Sequence, residues 1–176
     1  GSEMCIRDSG VINLPYAKEV LDRLAMMGHN VLMLYMEDVY EVEDEPYFGY
    51  LRGRYSKGQL KELDDYADLL GIELIPCIQT LAHMDQFLTW EEMADKYIDI
   101  DNILYVGKPE VTCLIDRILR GFSETLRTKR IHLGMDEAYH LGRGRYADEH
   151  GLRPKPEIMR DHLKTMLEMC GKYGLK

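Results

Sequence analysis

The densest group of side chains able to do chemistry runs from residue 132 to residue 140, where His132, Asp136, Glu137, Tyr139 and His140 crowd together. Two adjacent carboxylates invite acid/base work. Like charges held close raise one pKa, so one group can keep a proton and act as general acid while its neighbour stays ionised. The spacing supports equally well an Asp136 that caps the next turn and a Glu137 that is simply solvated. Glu137 and His140 also form an E-x-x-H pair, the pattern of di-iron helical bundles. Such a site needs a second E-x-x-H and two further Glu on other helices, and no second copy exists here. His132, Asp136 and His140 could share a metal only if the whole stretch were helical, so a metal-dependent hydrolase is the weaker alternative. No metal and no other cofactor is expected.

Three further groups deserve comparison. Glu37 and Asp38 follow an apolar run, and Gln79 and His83 follow another. A lone His is usually structural, but a position just after a strand favours a polar role. The acidic set Glu37, Asp38, Glu41, Glu43, Asp44 and Glu45 reads as a solvated loop rather than a cation site. Gly142 and Gly144 lack the Lys-Ser/Thr of a phosphate loop and read as a turn. No G-x-S-x-G occurs, so a serine hydrolase has no nucleophile at a strand–helix elbow.

These groups need a scaffold, and the hydrophobic pattern supplies one. Leu14, Ala17, Leu21, Leu24 and Ala25 recur at helical spacing, with Pro15 suited to a first turn and Gly28 to a stop. Residues 30–36 are an apolar run of strand character without strict alternation, as in a buried parallel strand. Ser56 and Gln59 form a capping box that opens a second helix with Leu60, Leu63, Ala67 and Leu70 inside, ending at Gly71. Residues 72–78 predict the next strand and 130–134 a third. Long helices are predicted from Pro109 to about Thr125 and from Pro156 to Tyr173, with a short one near 90–97. The helix–Gly–strand junction recurs at Gly28 and Gly71 and begins again at Gly174. The linkers after strands are long and those before them short. That asymmetry predicts a fragment of an α/β TIM (β/α)8 barrel, about half of one, from its first helix through its fourth, with the first strand and strands five to eight outside the chain. An open doubly wound sheet is the runner-up.

Of 176 residues, 45% are hydrophobic and 30% charged, with 31 acidic against 22 basic side chains and a net charge of −9. That excludes a disordered or disulfide-scaffold chain. Clustered Lys and Arg are lacking, so nucleic acid is a poor partner. The longest apolar run, 31–36, is too short to cross a bilayer, so no membrane partner is expected. Cys5, Cys77, Cys113 and Cys170 form no C-x-x-C pair and have apolar flanks, which predicts buried structural thiols. Residues 1–9 match no helix or strand pattern and read as a non-native tail, leaving 10–176 as partial catalytic domain. With the natural start missing, the compartment is not fixed; a cytoplasmic location is the expectation.

The stretch from His132 through Gly134 to Asp136 and Glu137 resembles the H-x-G-x-D-E signature of glycoside hydrolase family 20, the β-N-acetylhexosaminidases. Arg54, Tyr55 and Ser56 at the second helix, then Ile75, Pro76 and His83, are similar to that family's next stretch. Ala82 stands where Gly is common there, and Gln79 near an acidic position. The runs 47–54 and 142–146 look like the branch lacking the N-terminal accessory domain. The resemblance implies a retaining exo-enzyme without an enzyme nucleophile, in which the substrate's 2-acetamido oxygen attacks to give an oxazolinium ion. It implies Glu137 as general acid and later base, and Asp136 as the group that orients the acetamide. It implies a relay of Glu37 or Asp38 with His83. His132 belongs to the signature, and its place on an alternating strand predicts a buried, hydrogen-bonded support. N-acetylhexosamine-containing glycans are then the partners. The remaining barrel half would be required for a complete site, so this fragment alone is expected to be inactive. A non-catalytic carbohydrate-binding piece of the same fold is the alternative.

Overall fold

The computed structural model describes residues 11–176, so the tail expected over 1–9 lies outside it. Helix α1 (Leu14–Met26) begins where Asn13 accepts the Tyr16 N–H at 3.0 Å and Pro15 sets the first turn. It stops at Gly28, whose φ of 80° suits a residue without Cβ. Strand β1 (Val31–Tyr35) follows. Helix α2 (Lys57–Leu69) opens on the expected capping box: Gln59 N–H donates to Ser56 Oγ at 3.1 Å, and Ser56 N–H to Gln59 Oε1 at 2.9 Å. Strand β2 (Glu73–Cys77) lies parallel to β1, in register from Val31 opposite Glu73 to Tyr35 opposite Cys77.

The loop after β2 carries more structure than the pattern suggests. It holds α3 (Asp85–Leu88), α4 (Glu91–Tyr97) and an antiparallel hairpin of β3 (Ile98–Ile100) and β4 (Ile103–Leu104). Helix α5 (Pro109–Thr125) comes next, then a short α6 (Arg145–His150) and α7 (Lys155–Lys172).

The third strand expected over 130–134 needs correction. Its backbone lies parallel beside β2: His132 N–H donates to the Pro76 carbonyl at 3.0 Å, Ile78 N–H to His132 at 2.9 Å and Thr80 N–H to Gly134 at 3.0 Å. Only a single bridge, Cys77 with His132, is regular. Gly134, at φ 56°, turns the chain off the ladder. On the far side Lys176 N–H donates to the Lys129 carbonyl at 2.7 Å, and Ile131 N–H to Lys176 at 3.1 Å. The strand-like segments therefore lie in sequence order across the sheet.

The helices decide between the two fold readings. α1, α2, α5 and α7 pack each against the next. Their inner residues, among them Leu21, Leu63, Leu114 and Met166, join Leu74 and Ile78 in one buried core. Each such fully buried side chain contributes about 1.5–3 kcal/mol. Met33, by contrast, is 48% exposed on the opposite face of β1. A doubly wound sheet would cover both faces. One covered face, with sequential strand order, is an arc of a β/α barrel.

Sequence expectations about burial fail at several positions. Asp38 of the acidic set is buried. Glu45 is not part of a solvated loop: it is buried, accepts the Tyr97 hydroxyl at 2.6 Å, and lies 3.4 Å from Arg117. Cys77 and Cys170 are buried, but Cys113 on α5 is exposed because it falls on that helix's outer face. Cys5 lies outside the described residues.

Candidate active site

The barrel arc brings the loops after β1, after β2 and after residues 130–134 to one rim. Gly134 is where the third of them begins. A Cβ there would stand 2.1 Å from the Ile78 carbonyl oxygen and 2.6 Å from Gln79 Oε1, so only glycine fits. Two residues later Asp136 leaves the strand line. Glu137 takes a φ of 54°, the left-handed region, which is uncommon outside glycine. Consecutive strand residues would face opposite ways. The turn cancels that alternation, so both carboxylates reach the same imidazole.

That imidazole is His83, itself at φ 58°. Its Nε2 stands 3.3 Å from Asp136 Oδ2 and 3.5 Å from Glu137 Oε2. The nitrogen is enclosed and lies between the two without a well-aligned hydrogen bond to either. The contacts are therefore read as charge–dipole or ion-pair proximity. Both carboxylates remain open on their other sides, with about half of each side chain exposed. Two non-glycine residues in the left-handed region cost on the order of 1–3 kcal/mol each, and such strain gathers at functional sites.

Gln79 ties the carboxylate pair to the rest of the rim. Its Nε2 donates to Asp136 Oδ1 at 3.1 Å and to the Tyr35 hydroxyl at 3.1 Å. Partial burial raises the Asp136 pKa, but the Gln79 hydrogen bond, its own backbone N–H and His83 outweigh that and hold it below the usual carboxylate value. Asp136 is thus held in its ionised form.

Glu37 and Asp38 are placed differently from the relay expected of them. Both turn to Arg52, whose Nη1 donates to Glu37 Oε2 at 3.1 Å and Asp38 Oδ1 at 2.6 Å. Neither reaches His83; Glu37 joins the network only through the Tyr35 hydroxyl, at 3.4 Å. Arg52 draws them away because Asp38 is buried and its charge needs a partner. Burial raises the Asp38 pKa in spite of that cation.

His132 needs correction too. It is exposed rather than buried, and its Nδ1 lies 3.2 Å from Cys77 Sγ across the sheet. His140 lies apart from it, its Nδ1 2.6 Å from Asp101 Oδ2 at the β3–β4 turn. His132, Asp136 and His140 therefore do not converge as a metal site would require. Among the described residues no group of three or more His, Cys, Asp or Glu is arranged to hold a metal ion.

Sequence reasoning noted Gln79 only as a strand-end neighbour of His83, and did not select Tyr35 or Arg52. Tyr35 and Gln79 carried a findable signal, since each ends or follows a strand on the face shared by Cys77 and His132. Arg52 carried none, because its loop brings it back from fourteen residues away.

Residues 12–163 match the model of the glycosyl hydrolase family 20 catalytic domain. The chain belongs to glycosyl hydrolase family 20. Hexosaminidase D of Bos taurus is 31% identical over 140 residues, covering 73% of this chain and 38% of that protein; Hexosaminidase D of Homo sapiens is 29% identical over 141 residues, 73% of this chain and 27% of that protein. The chain thus spans well under half the length of these family 20 relatives. The fold agrees: a GH20 exo-β-N-acetylglucosaminidase from Vibrio harveyi in complex with N-acetylglucosamine superposes with a TM-score of 0.82 at 15% identity, over 96% of this chain and 33% of that one. A β-N-acetylhexosaminidase from Bacteroides fragilis does so at 0.79 and 19% identity, over 96% and 39%. The chain is a part of a family 20 β/α barrel.

Proposed function

We propose that this chain is the acid-bearing part of a retaining exo-β-N-acetylhexosaminidase that removes terminal β-linked N-acetylhexosamine by substrate-assisted catalysis. The observation that carries it is the Asp136–Glu137 pair at the rim, turned to one side by a left-handed Glu137 and flanked by His83. Family membership supports the substrate class.

In this reading the acetamide oxygen of the substrate attacks the anomeric carbon. The glycosidic C–O bond breaks, and Glu137 donates its proton to the leaving oxygen. Asp136 accepts the acetamide N–H and stabilises the positive charge that spreads over the oxazolinium ring. Its depressed pKa suits that role. Water then attacks the same carbon and gives its proton to the Glu137 carboxylate, and the ring opens with retention. His83 positions both carboxylates. Gln79 fixes the Asp136 oxygen that does not face His83.

The other barrel half supplies the remaining walls of the pocket, and the 176-residue chain alone is inactive. The test is release of nitrophenol from 4-nitrophenyl N-acetyl-β-glucosaminide. The parent protein carrying this segment turns over, and Glu137→Gln lowers kcat by roughly 10²–10⁴-fold. Full activity in Glu137→Gln, or turnover by the isolated chain that this substitution abolishes, overturns the corresponding part of the proposal.

A further inference from the structure

A line of hydrogen bonds crosses the rim from the loop after β1 to Asp136. It starts at Arg52, whose Nη1 donates to Glu37 Oε2 at 3.1 Å. The hydroxyl of Tyr35, the last residue of β1, donates to Glu37 Oε1 at 3.4 Å. Gln79 Nε2 then donates to the Tyr35 oxygen and to Asp136 Oδ1, each at 3.1 Å. The line runs under cover: Gln79 is almost wholly buried, and the Arg52 and Glu37 side chains are only 13% and 17% exposed. Shielded from water, such bonds are stronger than they would be in solvent.

The direction of each bond follows from how many hydrogens each group carries. Glu37, paired with Arg52, accepts. A phenol has one hydrogen. With that hydrogen turned to Glu37, the Tyr35 oxygen offers Gln79 lone pairs alone, so the amide must meet it with N–H and not with C=O. The second hydrogen on the same nitrogen then faces Asp136, which suits a carboxylate and not a protonated acid. The carbonyl end gains nothing from this arrangement: Gln79 Oε1 lies beside Gly134, buried and without a hydrogen-bond partner among the described residues. A buried acceptor without a donor is costly, so the contacts on the nitrogen side decide the orientation. Turned over, the amide would set Oε1 against the Asp136 carboxylate, acceptor against acceptor. Partial burial raises the Asp136 pKa, and the Gln79 bond leads the contacts that bring it below the usual carboxylate value.

We propose, resting on the reading of Asp136 as the group that orients the acetamide, that Tyr35 is a positioning residue: its hydroxyl takes its direction from Glu37 and so locks the Gln79 amide nitrogen-first onto Asp136. Glu37 then serves the catalytic carboxylate from the loop after β1 without touching His83, and Arg52 anchors the start of the line.

The test is a set of double-mutant cycles in the parent protein carrying this segment, with aspartate ¹³C-labelled at the side-chain carboxyl. One readout is the Asp136 carboxyl shift against pH, its signal assigned with Asp136→Asn. The other is the pH profile of kcat/KM on 4-nitrophenyl N-acetyl-β-glucosaminide. Tyr35→Phe keeps the ring and its packing and removes the hydroxyl. It is expected to move the Asp136 titration to higher pH, and to lower kcat/KM about threefold or more on the acid side of the profile while leaving it unchanged at neutral pH. Glu37→Leu makes a second cut with the Tyr35 ring untouched, and both readouts move the same way. In a Gln79→Leu background neither substitution changes either readout further, because the line is already broken. Equal displacements with and without Gln79 would show that Tyr35 acts by packing, which overturns the proposal. An Asp136 titration that Tyr35→Phe leaves in place overturns it as well. If the titrations follow the expected pattern while the parent releases no nitrophenol, the link from Tyr35 to Asp136 is upheld and the hydrolase reading is what fails.

Discussion

Gln79 donates an amide hydrogen to the Asp136 carboxylate at 3.1 Å, from a side chain almost wholly buried beneath the rim. The same nitrogen also donates to the Tyr35 hydroxyl, so the amide cannot swing away without breaking a second contact. Asp136 owes its depressed pKa to this bond ahead of its own backbone N–H and His83, all working against partial burial. Gln79→Leu is expected to raise the Asp136 titration toward the usual carboxylate range, read from its carboxyl ¹³C shift against pH. An unchanged titration would mean that His83 and the backbone suffice.

The turn that faces the two carboxylates the same way depends on Gly134 and Glu137. Gly134→Ala puts a Cβ 2.1 Å from the Ile78 backbone oxygen and 2.6 Å from Gln79 Oε1 at a φ of 56°, so backbone must shift to admit it. A loss of roughly 2–4 kcal/mol in unfolding free energy is expected from urea melts. Glu137→Gly has the opposite sign. At φ 54° glycine relieves a left-handed strain of about 1–2 kcal/mol but adds entropy to the unfolded chain. The variant is expected to be as stable as the parent, or up to about 1 kcal/mol more so. A clear destabilisation would show that Glu137 is held by packing rather than strained into place.

Much of this scaffold was legible in the sequence because it rests on local rules. Asn13 with Pro15, Ser56 with Gln59, and the glycines at 28 and 71 fix helix ends through backbone geometry that their neighbours alone determine. The Asp136–Glu137 pair was visible because both residues lie in one short stretch. What stayed hidden depends on distant partners. Arg52 captures Glu37 and Asp38, and Tyr97 with Arg117 pulls Glu45 into the interior. No spacing rule announces those choices. The β3–β4 hairpin escaped for another reason: strands of three and two residues carry too little periodicity to stand out from a loop.

Arg52 is the price of burying Asp38. Removing the cation in Arg52→Met leaves a carboxylate with almost no access to water beside Glu37. Breaking a buried pair from one side is expected to lower stability by about 3–5 kcal/mol. Arg52→Met combined with Asp38→Leu should recover most of that loss, since the fully buried charge is then gone and only the partly exposed Glu37 lacks its cation. Equal stability of the single and double variants in chemical denaturation would show that Asp38 simply takes up a proton and needs no partner.

His162 on α7 gives the fold a pH dependence of its own. It is buried, and its Nε2–H donates to the Thr80 carbonyl at 3.0 Å, next to the backbone bond from Thr80 to Gly134 that starts the carboxylate loop. Burial drives the imidazole down to about 4, although the Thr80 bond opposes it. The unfolded chain titrates near 6.5. Between those values the unfolded state binds a proton that the folded state refuses, so stability falls as pH falls. The loss begins near pH 6.5, reaches about 3 kcal/mol by pH 4 and levels off below it as the folded state becomes protonated too. Other acidic groups add slopes of their own, so the comparison is with His162→Gln, which keeps a donor for Thr80 and carries no titratable proton. The difference between the two stability curves should be flat above pH 6.5 and change by that amount down to pH 4. A difference that stays constant across the range would show that His162 is neutral in both states or charged in both.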